Sequence, residues 1–257
     1  MICEPLTIAN SLVGLAMLRH AVSIEDTVSL LAAMHTLVVK GSNPHASSAA
    51  CVAAYGAVCM WIDNPEALSA LYQPCASLVA NLSTEGVMLF SAAQLLHANE
   101  AMAMLGPGAL LDAHAVQRWQ ELAESRPTPR PLTSQLTLHD AAQMLLDTAQ
   151  ALTEQENHMQ WATVDINVPM LPGMKHIDVV LTSVDPSCKV AVMLTGSWDS
   201  FCNQPSVVTG STHLHRMLLA AHGYAVVAVD VDELMMHGTD VSRAAWLLSL
   251  VTDTLAA

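Results

Sequence analysis

The side chains best equipped for chemistry lie in the last third of the chain. Lys175, Lys189, His213 and Arg216 could neutralise phosphates, and Trp198 and Phe201 could stack on bases, a contact worth about 1–3 kcal/mol per base. Each has a plainer reading. Phe201 and Tyr224 suit a core, and a single arginine on a helix is commonly solvated or paired, here with Asp230 or Asp232. The other reactive residue types are scattered. The six cysteines, Cys3, Cys51, Cys59, Cys75, Cys188 and Cys202, form no C-x-x-C pair and sit inside apolar runs, which favours free buried thiols over disulfides. Of 12 histidines only His213 and His215 are close, and two apart on a helix they point different ways. No metal site and no cofactor are expected.

The elements that must position these residues follow from periodicity. Val190, Ala191, Val192, Met193 and Leu194 have no polar face and stop at Gly196, as suits a strand buried on both sides. After a polar loop, Thr209, Ser211 or Thr212 can cap a helix carrying Leu214, Met217, Leu218 and Ala221 on one face, with Gly223 as its stop. Residues 224–229, YAVVAV, then read as a second apolar strand beside the first. Together these make one βαβ unit. Upstream, residues 161–168 and 177–181 read as strands around a turn at Pro172-Gly173.

The order of apolar strand, glycine closely followed by an aromatic, polar loop, helix and strand resembles the RAP domain. The residues that carry the likeness are Gly196, Trp198, Phe201, Thr212, Arg216, Leu218, Leu219, Gly223, Tyr224, Val226, Val227, Val229, Glu233 and Leu234. Residues 177–181 resemble the family's preceding strand and residues 246–255 its closing helix, so the likeness covers about residues 160–257. RAP domains stand at the C-terminus of organellar RNA-processing and ribosome-associated proteins, usually after arrays of helical repeats. The resemblance therefore implies a mitochondrial protein, with the plastid as the alternative. Its role would be that of a ribonucleoprotein subunit, of a mitochondrial ribosome first, that touches rRNA locally and neighbouring proteins broadly. It also implies a restriction-endonuclease-like fold, whose nucleases need carboxylates on consecutive strands. Where the family pattern carries acids this chain has Met193 and Thr195, and a thioether and a hydroxyl cannot replace hard anionic ligands. Asp178 alone remains. A non-catalytic holder is expected, with a protein-only scaffold and an RNA endonuclease as the two competing readings.

Composition bounds the rest. Of 257 residues 53% are apolar and only 12% charged, a surface suited to contact with other proteins. The formal net charge of −14 opposes free-standing nucleic-acid binding, because phosphates would be repelled by the molecule as a whole. Residues 46–62 are the nearest approach to a membrane span, but the run is short and Ser-rich at its start, so a buried helix is expected. The first 20 residues contain one basic side chain, Arg19, unlike an Arg-rich transit peptide.

Up to residue 124 the pattern is helical. Leu12, Leu15, Ala16 and Arg19 mark a first helix, and Ser23 with Asp26 starts a second that runs to Lys40-Gly41. Asn43-Pro44 opens a third and Asn64-Pro65 a fourth. Ser83 or Thr84 is expected to cap a fifth, whose face is Val87, Leu89, Phe90, Ala93, Leu95 and Leu96. After Gly106-Pro107-Gly108 a further helix spans residues 110–122. Helical hairpins of this kind make either a repeat array or an irregular bundle. With only Arg19 and Lys40 basic before residue 118, no cationic groove can be built there. Residues 125–135, SRPTPRPLTSQ, read as a proline-stiffened linker or a basic strap, and residues 138–152 as one more amphipathic helix. The expected architecture is thus an α-helical repeat or bundle over 1–124, a linker and bridging helix over 125–157, and an α/β RAP domain over 158–257.

Overall fold

The computed structural model describes residues 4–20, 22–40, 45–80, 82–124, 161–170, 176–184, 188–196, 199–201 and 204–256. Lys175, Trp198, Cys3, Cys202, the Asn43-Pro44 and Pro172-Gly173 turns, the stretch 125–135 and the helix expected over 138–152 lie outside the described residues. The chain divides into two compact units. One holds the described residues up to 124 together with Val208–Leu218, and the other holds the rest. The segment 208–218, although it falls within the stretch expected to form the C-terminal domain, therefore groups with the helical unit.

The helical unit is built on α1 (Pro5–Met17), α2 (Ile24–Val39), α3 (Ala46–Trp61), α4 (Pro65–Val79), α5 (Leu89–Met104) and α6 (Ala113–Glu124). The starts are set by capping. Ser23 Oγ accepts from Asp26 N, Asn64 Oδ1 from Ala67 N, and Asp112 Oδ1 from Ala115 N, each filling a donor that helix geometry leaves without a partner. The Ala/Ser/Gly-rich α3 is buried along most of its length and packs on α1, α2, α4 and α5. Small side chains allow this: at Gly56 a Cβ would lie 2.8 Å from Val13 N, so α1 and α3 meet backbone to backbone. No described helix is long and apolar enough to cross a membrane.

Three details depart from the expected helices. Arg19 falls beyond the end of α1, at φ 49°, rather than on its face. Neither Ser83 nor Thr84 caps α5, which starts at Leu89. Ser83 Oγ accepts from Glu85 N instead, Gly86 turns the chain at φ 71°, and Met88 N donates to Ser48 Oγ. Phe90 is 71% exposed rather than inward. Beyond its first turn α5 is enclosed by α3 and α6, so its buried set runs around the helix and forms no single stripe.

The second unit is an α/β layer. Strands β1 (Trp161–Val168), β2 (Ile177–Ser183), β3 (Lys189–Thr195) and β6 (Ala225–Asp230) form one sheet in the order β1-β2-β3-β6, while β4 (Ser200–Phe201) and β5 (Gln204–Val208) make a separate ribbon. The pairs β1/β2 and β2/β3 are antiparallel, and β3 and β6 are parallel, with Val192 opposite Val227. Helix α7 (Gly210–Ala221) lies between β5 and β6 in the chain, and Gly223 follows it at φ 83°, the left-handed stop the sequence predicts. Helices α8 (Val231–Met236) and α9 (Asp240–Ala256) come last. Alternation along the strands sends Val179, Leu181, Val190, Val192, Val227 and Val229 into one core with Leu234, Leu247 and Val251. A second core gathers Ile177, Val180, Ala191, Met193 and Leu219, with Tyr224 packed on it.

Candidate functional site

In a sheet of this kind ligands bind beyond the carboxyl ends of the parallel strands, here Thr195 and Asp230, which lie opposite one another. Asp178, Met193 and Thr195 are all buried there. Asp178 shares a face with Val180, which lies opposite Ala191, so its carboxyl belongs on the side that carries Met193. That carboxylate is already engaged: Oδ2 accepts from Leu194 N at 2.8 Å, extending the β2/β3 pairing past its last backbone rung. Thr195 Oγ1 donates to Val229 O at 3.2 Å and so stitches β3 to β6. The nearby acids are used in the same way. Asp199 Oδ2 accepts from Gly196 N, and Asp230 Oδ1 accepts from Asp232 N and Glu233 N to cap α8. These carboxylates organise backbone, and no three His, Cys, Asp or Glu among the described residues gather as a metal ion requires.

Lys189 lies at the opposite end of β3, exposed and across from Thr182. With Asp165, Val168, Pro169, Val180, Thr182 and Tyr224 it lines a shallow, open hollow of about 420 Å³. The hollow offers one ammonium and one carboxylate to a ligand, a weakly selective pair. Phe201 ends the short strand β4, and its side chain, like Lys175 and Trp198, lies outside the described residues.

The helical unit holds the other two expected contacts. His213, in the first turn of α7, has its Nε2 2.7 Å from Asp63 Oδ1, while Arg19 donates from its guanidinium to Asp63 Oδ2 at 3.2 Å. One aspartate just past α3 thus holds both an arginine and a histidine of the unit. Spacing gave no sign of this, since the partners are 150 positions apart in the chain. Arg216, one turn on, is half-buried and makes no ion pair among the described residues. Asp230 and Asp232, its expected partners, instead lie at the start of α8, where Asp230 caps the helix.

The thiols are chemically quiet. Cys51, Cys59 and Cys75 are free and buried, and burial pushes each up to about 12, although a hydrogen bond from Tyr55 pulls Cys59 back a little. Cys188 is half-buried and forms no disulfide. Cys51, Cys59 and Cys75 pack as small apolar residues and are poor nucleophiles.

No protein-family model matches the chain, and comparison with curated proteins gives no significant match.

Proposed function

We propose that this chain is a non-catalytic RAP-domain subunit of a mitochondrial ribonucleoprotein, a ribosome in the first instance, holding rRNA at a few local points and neighbouring proteins over wider surfaces. The observation that carries this reading is the use made of Asp178. Its carboxylate is spent on Leu194 N, and on the adjoining strand Met193 and Thr195 stand where metal chemistry would need acids. A sheet whose strand ends are tied down in this way suits holding better than cutting. The parallel β3–β6 pair, the intervening α7 and the Gly223 stop supply the framework to which the family resemblance attaches. RNA contacts are assigned to Lys175, Lys189, Trp198 and Phe201, and to His213 and Arg216 in the helical unit.

The bond from His213 to Asp63 favours a second reading, a scaffold for proteins alone, because it occupies one of the few side chains assigned to RNA. Purification of the tagged chain from mitochondria separates the two. Under the first reading rRNA copurifies at low salt and is lost at high salt. A chain that brings down proteins and no RNA supports the second, and cleavage of RNA in magnesium, abolished by EDTA and by Asp178→Ala, would overturn both.

A further inference from the structure

The end of the sheet unit carries an apolar surface that includes none of the residues assigned to RNA. Helix α8 buries Leu234 in the core but leaves Met235 54% and Met236 82% exposed, and Val241, at the start of α9, is 80% exposed. The turn between them is firmly built. Ser242 N donates to Thr239 Oγ1 and Thr239 N to Ser242 Oγ, both at 3.2 Å. Arg243 Nε donates to His237 O at 2.7 Å, and the His237 ring lies on Trp246 with centroids 4.9 Å apart. Three large apolar side chains are therefore displayed between positions 235 and 241 by a fixed turn, where isolated exposure of one would need no explanation.

The charge around them has one sign. Asp232 and Glu233 are exposed on the same short helix, the stretch 228–242 contains no lysine or arginine, and Arg243 just beyond it is bonded to a carbonyl. We propose that Met235, Met236 and Val241 form a docking surface for an amphipathic basic segment of a partner protein, its apolar residues seated on the methionines and its Lys or Arg against Asp232 and Glu233. Methionine reshapes itself around whatever apolar side chain arrives, which suits contact with the apolar face of a helix. A second copy of this chain would bring the same acids face to face, and RNA or an anionic membrane would meet the exposed carboxylates of Asp232 and Glu233. This surface stands whether or not rRNA binding holds.

The test is fluorescence anisotropy of a labelled helical peptide of about 18 residues, leucine on one face and lysine on the other, titrated with the full chain. Saturable one-to-one binding is expected, with no binding of the matching leucine–glutamate peptide. Met235→Ser with Met236→Ser weakens the affinity about tenfold, the equivalent of one methionine left in water. Asp232→Asn with Glu233→Gln weakens it about threefold and flattens its salt dependence. Both pairs are exposed, so an unchanged melting curve verifies the fold. Equal affinity of the wild-type and methionine-substituted chains, or equal binding of the glutamate peptide, overturns the proposal. So does a dimer in sedimentation that Met236→Asp dissociates, since the occupant would then be a second copy.

Discussion

Asp178 shows how one buried carboxylate can hold two strands together. Removing it leaves Leu194 N–H without its acceptor in a buried site, a loss of about 1–3 kcal/mol. Asp178→Ala is therefore expected to lower the melting temperature by about 3–10 °C, while Asp178→Asn, which keeps an acceptor oxygen, costs less. Equal melting of both variants and wild type by circular dichroism would mean that the bond contributes nothing. The thiols give a second residue-scale prediction. Cys51, Cys59 and Cys75 keep their protons in the fold up to about 12, whereas the unfolded chain releases them from about 9. Their contribution to stability is thus complete below about pH 9 and lost as the pH rises toward 12. Alkylation at mildly alkaline pH, mapped by mass spectrometry, should reach Cys188 before these three, and the urea midpoint should fall on going to more alkaline buffer.

Among the elements, two glycines carry more than their size suggests. Gly56→Ala places a methyl against the α1 backbone at Leu12 and Val13 and must push α1 off α3, which overpacking experience puts at about 1–3 kcal/mol. Gly223 meets nothing within 4 Å of a built Cβ, so Gly223→Val is opposed by backbone conformation alone at φ 83°, about 1–2 kcal/mol. Thermal melts of both separate a steric effect from a torsional one, because Gly223→Asn should recover most of the loss and Gly56→Asn none. The same contrast explains what could be read in advance. β3, α7 and β6 were legible because strand and helix periods change abruptly at Gly196 and Gly223. The start of α5 was not, since Ser83 spends its hydroxyl on a turn closed by Gly86. Phe90 misled because a helix enclosed by two neighbours has no single apolar face. Of the candidate site, residue types were visible and partners were not. Asp63 meeting His213 and Asp178 meeting Leu194 N are products of the tertiary fold, which no local spacing encodes.

For the whole molecule the decisive quantity is charge. With 23 acidic and nine basic residues the chain repels a polyanion at long range, so the proposed RNA binding would depend on a small number of close contacts. Two of the nine cations are already committed, Arg19 to Asp63 and Arg243 to the His237 carbonyl. Three permanently charged residues remain among the proposed contacts: Lys175, Lys189 and Arg216. Each phosphate neutralised on single-stranded RNA contributes about 0.7 to the slope of log affinity against log salt, so three contacts give a slope of roughly −2. Filter binding of an rRNA fragment across a salt series measures it directly. Lys189→Ala and Arg216→Ala should each shallow the slope by about 0.7 and weaken binding without changing the melting temperature. A slope steeper than about −4 would require more cations than these three residues supply, and further contacts would then have to lie elsewhere. A flat line with no detectable binding would favour the reading of this acidic, apolar chain as a scaffold for proteins alone.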